Sequence, residues 1–501
     1  MEDTHTIRIE KLMQTSRVAF GTSGVRGPAD AMTDMVCYAY TTAFLQHLRD
    51  SDGLERGTRI ALGGDLRPST GRIMRAAARA VSDFGCMPEN CGMLPSPALA
   101  WYGFTERIPG IMVTGSHIPE DRNGIKYNRS CGEILKSDEA AIRARTVPVD
   151  RGAFDRQGML AKAAKLADPT PKASELYVRR YTNFFPEGCL RGRRIGLYEH
   201  SCVGRGVIYE VLSTLGADVH RLGFSDRFIP VDTEAIRPED VRLARQWAEE
   251  HRFDSIVSAD GDADRPIVSD ERGRWLRGDV AGILCARFLG ADAVAAPVSC
   301  NSALEKCGFF GNVMRTRIGS PYVIEAMNGA TASGARCVVG YEANGGFLIN
   351  STIRRGERCL APLPTRDALI LILSILLMSV RENKPVSGLL AGLPRRCTAS
   401  DRLKKVPAEK SRSIIDAVST GDFGRDRRLV EERFYDICGR VAALDSTDGV
   451  RITFENSEVI HLRPSGNAPE FRCYTEADSP ERAAELSRRC LAVIEQWLGR
   501  I

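Results

Sequence analysis

The sequence predicts an α/β fold made of three related α/β domains with mixed sheets, followed by a smaller C-terminal α+β domain. Three observations predict it. A strand–loop–helix–glycine–strand pattern returns three times along the chain, the mark of a triplicated unit. Helical crossovers between strands imply parallel or mixed sheets with their loops gathered at one end. Beyond residue 393 the pattern changes to an alternating hairpin and an amphipathic helix. At 501 residues the chain is also too long for one core, and about three to five domains are expected. The boundaries fall at 1–155, 156–279, 280–393 and 394–501.

The first unit has a strand over Arg59-Ile60-Ala61-Leu62-Gly63 and a loop with Asp65, Arg67 and Ser69. A helix runs from Gly71 to Phe84 and stops at Gly85, and a second strand lies near Cys86 to Cys91. Ile111-Met112-Val113 is a short apolar run that reads as a buried strand. The second unit repeats the order: strand Arg194 to Tyr198, helix Gly204 to Leu215, stop at Gly216, strand Ala217 to Leu222. The third is fainter: Ala293 to Val298, Ser302 to Cys307, Gly308, and Asn312 to Arg315. Boundaries are expected at Asp150 to Pro171, a link between the first two units, at Gly273 to Val280, and at Leu393 to Arg396, where the third region ends. In the last domain, Arg451 to Phe454 and Val459 to Leu462 form a hairpin. The final helix has Ser479 as N-cap, Pro480 at its first position and Gly499 past its end.

Composition excludes several classes. With 43% apolar and 27% charged residues the chain is folded and soluble in character. A net charge of +5 over this length is near balance and argues against a nucleic-acid partner. Fifteen cysteines are scattered without zinc spacing and read as reduced thiols. The N-terminus lacks a basic region followed by an apolar stretch, and the longest apolar run, Ala368 to Val380, falls short of the roughly 20 residues that cross a bilayer. The expectation is a cytoplasmic protein with no membrane partner.

Five stretches carry chemistry. Phe20-Gly21-Thr22-Ser23-Gly24-Val25-Arg26-Gly27 is a flexible loop with exposed amides that can wrap a phosphate, with Arg26 as charge partner. Thr114-Gly115-Ser116-His117-Ile118-Pro119 presents one hydroxyl, Ser116, just past a strand end. Asp260-Gly261-Asp262-Ala263-Asp264-Arg265 follows a strand and places three carboxylates at alternate positions, where they converge on a cation if the loop curls. Oxygen donors favour Mg²⁺ or Ca²⁺ over zinc, and the strand leading in argues against a helix–loop–helix calcium site. Gly340-Tyr341-Glu342-Ala343-Asn344-Gly345-Gly346-Phe347 offers Glu342 and Asn344 for vicinal sugar hydroxyls. Arg463-Pro464-Ser465-Gly466-Asn467-Ala468-Pro469 combines a cation, a hydroxyl and an amide around a glycine, a composition suited to an anion.

These five motifs, in this order from Phe20 to Arg472, resemble the α-D-phosphohexomutase family. The resemblance implies a four-domain phosphohexomutase-like fold whose last domain is TATA-binding-like. It implies that Ser116 is a phosphoserine, that Asp260, Asp262 and Asp264 together with Ser116 hold Mg²⁺, and that Arg265, Arg26 and His117 surround the reacting phosphoryl group. Lys126, in Asn123-Gly124-Ile125-Lys126, is similar to the family's general acid/base. Glu342 and Asn344 fall in the sugar-binding loop, and Arg463, Ser465, Gly466, Asn467 and Arg472 in the phosphate-binding part of the last domain. The implied reaction passes through a hexose 1,6-bisphosphate, which also serves as activator.

The sugar loop departs from the Glu-x-Ser-Gly-His pattern of many relatives, since Asn344 replaces the hydroxyl and Gly346 the histidine. The phosphate loop reads Ser-Gly-Asn in place of Ser-Gly-Thr. These variants point to mannose 6-phosphate and mannose 1-phosphate as the pair interconverted, with glucose and glucosamine phosphates as alternatives. From other classes, a phosphosugar-binding protein without turnover and a phosphatase are the rivals. A phosphohexose is the expected partner, with the protein a monomer or homodimer.

Overall fold

The computed structural model describes residues 4–21, 24–162, 164–464 and 470–499. The chain divides into two compact units: residues 1–292 with 319–390, and residues 293–318 with 391–501.

The first unit opens with a seven-stranded mixed sheet. Its strand Arg59–Gly64, next to one edge, runs parallel to the edge strand Met87–Met93 on one side and to Gly110–Val113 on the other. Gly110–Val113 in turn pairs antiparallel with Arg122–Arg129, which pairs antiparallel with Val25–Pro28. The helix Thr70–Asp83 buries Ile73, Met74, Ala77, Ala80 and Val81 at helical spacing, so one apolar stripe docks on the sheet. Gly85, at φ 88°, turns the chain where the sequence places the helix stop.

A second sheet has the order Asp218–Phe224, Arg194–His200, Ser255–Ala259, Pro266–Val268. The first three strands are parallel and the last is antiparallel. Residues 260–265 are therefore the tight return between two antiparallel neighbours. Further on, Val338–Tyr341 and Phe347–Ile349 form an antiparallel hairpin, and Phe347–Ile349 pairs with Leu363–Asp367. The apolar run then appears as the helix Ala368–Glu382, capped by the Asp367 carboxylate and buried along most of its length. Among the described residues, no helix is long and apolar enough to cross a membrane.

The second unit holds a five-stranded antiparallel sheet in the order Cys397–Lys404, Glu470–Ala477, Val459–Pro464, Val450–Phe454, Val441–Asp445. Phe434, Phe454, Leu462, Phe471, Leu486 and Ile494 fill its core. The last helix, Pro480–Leu498, starts as expected, with Ser479 accepting from the Arg482 N–H. Ala293–Pro297 and Asn312–Thr316 pair in parallel, and the helix between them shortens to Ala303–Lys306. None of the fifteen cysteines is in a disulfide.

Three strand ends thus carry three of the chemical stretches: Gly110–Val113 leads into Thr114, Ser255–Ala259 into Asp260, and Val338–Tyr341 into Glu342. Each strand is buried at every position.

Candidate active site

Ser116 sits in a loop that is wound around one guanidinium. Arg67 donates to the carbonyls of Ser116 (2.8 Å), Ile118 (2.6 Å), Pro119 (2.6 Å) and Arg122 (3.0 Å). Its Nε donates to Asp65 at 3.1 Å. Asp65 also accepts from the Thr114 hydroxyl (2.7 Å), and the Thr114 oxygen accepts from the Ser116 N–H (2.8 Å). Gly115 has to be glycine, because a Cβ there would lie 2.5 Å from Arg67 Cζ. The winding leaves Ser116 at φ 55°, a left-handed backbone that non-glycine residues rarely adopt and that gathers at functional sites.

The Ser116 Oγ is fully buried and donates to Asp260 Oδ2 at 2.5 Å. Asp260, Asp262 and Asp264 each bring an oxygen within 4.8 Å of the others, and all three are buried. Gly261 lets the two loops approach, since a Cβ there would stand 2.7 Å from the Ser116 carbonyl. Lys126 Nζ lies 2.6 Å from both Asp262 Oδ2 and Asp264 Oδ2. Among the described residues, Asp262 Oδ1 and Asp264 Oδ1 are buried without a hydrogen-bond partner. Three crowded carboxylates with two orphaned oxygens form a group that could hold a metal ion, and hard oxygen donors of this kind fit a divalent cation.

The charges around this group are strongly coupled. Burial, then Asp262 and Asp264, push the Asp260 carboxyl well above the usual carboxylate range. Asp264 is held far below that range: burial opposes its charge, but Arg366, Lys126 and Arg265 outweigh it. For Lys126 burial favours the neutral form, yet Asp262 and Asp264 keep the ammonium charged above its ordinary range. Arg265 Nη1 donates to His117 Nδ1 at 2.9 Å, and burial together with Arg265 and Arg26 holds the imidazole neutral. Arg26 is lowered to about 10 by burial and by Arg265 and Arg366, and it makes no ion pair among the described residues. The structure therefore places Ser116, His117, Lys126, Arg26, Arg265 and the three aspartates in one cluster.

In the sugar loop both polar groups named from the sequence have partners within the protein. Asn344 turns its Oδ1 inward to accept from Gly346 N–H at 2.9 Å, and its carbonyl accepts from Thr233 Oγ1 at 2.7 Å. The bond from Gly346 uses one acceptor position of the side-chain oxygen and fixes how Asn344 sits in the turn, while its NH2 group stays outside it. Glu342 is buried and accepts from Arg366 Nη1 at 3.1 Å. In the second unit, Arg463 pairs with Asp448 at 2.8 Å and stands opposite Arg472 in the antiparallel register. Asp448 beside Arg463 and Glu470 at 3.8 Å from Arg472 offset the like charges that face each other across the ladder. Ser465, Gly466 and Asn467 lie outside the described residues.

Sequence reasoning gave no role to Arg67, Ser96 or Arg366. Ser96 donates to Asp262 Oδ2 at 2.6 Å and lies 3.4 Å from Lys126 Nζ. Arg366 joins Asp264 to Glu342. The one local signal was the charged pair Arg366-Asp367 set directly before a mostly apolar helix.

Fold and site together define an α/β protein in which a buried serine hydroxyl meets a triad of carboxylates that could hold a metal ion. Comparison with known proteins gives its family. Residues 17–150, 277–397 and 399–492 match the family described as phosphoglucomutase/phosphomannomutase, over its alpha/beta/alpha domain I, its alpha/beta/alpha domain III and its C-terminal domain. A phosphomannomutase of Salmonella muenchen is 43% identical over 493 residues, covering 98% of each chain. One from Sinorhizobium fredii is 41% identical over 475 residues, covering 95% of this chain and 98% of that one. A phosphoglucomutase/phosphomannomutase family protein of Burkholderia thailandensis shares the fold at a TM-score of 0.70 and 17% identity, with 95% of this chain and 97% of that one covered. The chain belongs to the phosphoglucomutase/phosphomannomutase family, the α-D-phosphohexomutases.

Proposed function

We propose that this chain interconverts mannose 6-phosphate and mannose 1-phosphate through phospho-Ser116 and a hexose 1,6-bisphosphate. The observation that supports it best is the Ser116 hydroxyl, buried and 2.5 Å from Asp260 within the aspartate triad. The two full-length phosphomannomutase relatives support the choice of mannose.

In the first half-reaction, the free hydroxyl oxygen of the hexose phosphate forms a new bond to phosphorus as the bond from phosphorus to Ser116 Oγ breaks. The hydroxyl proton leaves, and the serine oxygen regains one. Lys126, charged between Asp262 and Asp264, is in its acid form and suits the donor side of this exchange. Arg26 and Arg265 add fixed positive charge, which favours the spread charge of the transferring group. His117, held neutral, contributes a ring and no charge. Asp260, Asp262 and Asp264, with Ser116, would hold Mg²⁺, which when bound neutralises oxygens of the phosphoryl group. Arg463, Ser465, Gly466, Asn467 and Arg472 take the phosphate that is not moving. The bisphosphate then presents its other phosphate to Ser116, and the reverse transfer completes the exchange. Burial of Ser116 keeps water from the phosphoserine. Fifteen cysteines outside any disulfide suit a cytoplasmic setting.

The test is turnover of mannose 1-phosphate with magnesium, with and without hexose 1,6-bisphosphate, for the native chain and Ser116→Ala. Bisphosphate-stimulated conversion that Ser116→Ala abolishes is the expected result. Full activity of the variant would refute the serine assignment. Release of inorganic phosphate would favour a phosphatase, and binding without turnover a carrier.

A further inference from the structure

Glu342 is the buried carboxylate at the start of the sugar-loop turn, and its partner comes from a strand that the loop itself does not contain. Arg366 Nη1 donates to Glu342 Oε2 at 3.1 Å, while Nε donates to Asp264 Oδ2 at 3.0 Å. The guanidinium is 2% exposed. One side chain therefore links the aspartate loop to the sugar loop. Its position is fixed from both sides. Thr365 Oγ1 donates to Glu133 Oε1 at 2.5 Å, and Asp367 accepts from the Tyr177 hydroxyl at 2.6 Å and from Tyr181. The loop pays for this with its own side chain at one position. Phe347 pairs with Asp367 in the sheet, which lays Gly346 against the Arg366 stem. A Cβ at 346 would stand 2.5 Å from Cδ, 2.6 Å from Cγ and 3.0 Å from Cβ of Arg366. The stem of an arginine anchored at both flanks has no free direction to yield.

We propose that Arg366 is a positioning residue for sugar recognition: it fixes the Glu342 carboxylate toward the hydroxyls of the hexose phosphate, and its stem is the reason residue 346 has no side chain. This rests on the phosphohexomutase reading above. A planar, bidentate cation can aim a carboxylate in a way that a point charge cannot.

The experiment measures binding of mannose 6-phosphate by calorimetry in a Ser116→Ala background, where no transfer occurs, with magnesium and again with EDTA. Glucose 6-phosphate and glucosamine 6-phosphate run alongside, and thermal unfolding reports folding of every variant. Arg366→Ala is expected to weaken binding about tenfold or more in both conditions, as for loss of a buried charged hydrogen bond. Arg366→Lys recovers part of the loss, and it carries the test if Arg366→Ala does not fold. Gly346→Ala weakens binding when Arg366 is present and has no effect once Arg366 is alanine, a coupling that an independent position would not show. Unchanged affinity in folded Arg366→Ala or Arg366→Lys overturns the proposal. So does a loss seen only with magnesium, which would place the role at Asp264, and so does an equal cost of Gly346→Ala in both backgrounds. A parent that binds glucose or glucosamine 6-phosphate but no mannose 6-phosphate overturns the choice of mannose alone, and the same cycle is read with the sugar that binds. A parent that binds none of the three overturns both readings.

Discussion

Replacing Arg67 by leucine keeps most of the buried stem and removes every donor. Five hydrogen bonds go at once: four to the carbonyls of the Ser116 loop and one to Asp65. The pair with Asp65 is fully buried, and stripping one partner from such a pair costs about 3–5 kcal/mol. Water can reach the carbonyls of Ile118 and Pro119, whose residues are partly exposed, but not that of Ser116. That buried acceptor adds about 1–3 kcal/mol. The sum, roughly 4–8 kcal/mol, is comparable to the stability of a whole domain. The loop should open locally while the rest of the first unit holds. Opening moves Ser116 Oγ off Asp260, and a displacement of about 1 Å lowers a transfer rate on the order of a hundredfold. Burial already raises the Asp65 carboxyl, and without Arg67 that carboxyl can take up a proton. The destabilisation should therefore shrink as pH falls through the raised value. The assays are amide hydrogen exchange across residues 114–124 and mutase turnover. Wild-type exchange protection together with turnover within threefold of the native rate would refute the account of the loop.

Other expectations can be checked separately. Arg463→Ala should raise KM for mannose 1-phosphate about tenfold or more with little change in unfolding temperature, since it removes a charge-assisted phosphate contact from a partly exposed ion pair; an unchanged KM would place phosphate docking elsewhere. His461 is buried, bonds the Asp448 carbonyl at 2.6 Å, and is lowered to about 4 by burial. The unfolded chain takes up this proton near the ordinary value of about 6.5, so native stability is full above that pH and falls as pH drops from there toward about 4. His461→Gln should flatten that fall by up to about 2 kcal/mol in denaturant titrations at pH 7.5 and 5, and an identical pH dependence in both proteins would show that His461 is not the group responsible.

Much of the scaffold was legible because its signals are local. The strand at Arg59, the helix after Asp65 and the stop at Gly85 rest on apolar spacing and backbone freedom, and each lies where the sequence placed it. The cap at Ser479 is local in the same sense. Ser116 and the aspartates were legible because their chemistry is compressed into six-residue stretches. Arg67 and Arg366 were not, because what they do depends on atoms far along the chain. Arg67 serves carbonyls some fifty residues away, at Ser116 and beyond, and carbonyls leave no trace in a sequence. Arg366 stands just before a helix start, where Asp367 caps Ala368–Glu382, and nothing local marks it further. Its second face, toward Asp264 and Glu342, exists only once the strands are laid side by side. The inward turn of Asn344 escaped for the same reason, as a side-chain oxygen bound to a backbone two residues on looks identical in sequence to a free one.

The free cysteines make the molecule its own unfolding reporter. Cys131 and Cys359 are exposed, while Cys37, Cys91 and Cys202 in the first unit and Cys438 in the second are buried, with thiols pushed up to about 12. An alkylating reagent at neutral pH should tag the two surface thiols quickly and meet the others only when a core opens. Mass spectrometry of the tagged peptides would then tell which unit came apart first, with no engineered label in either.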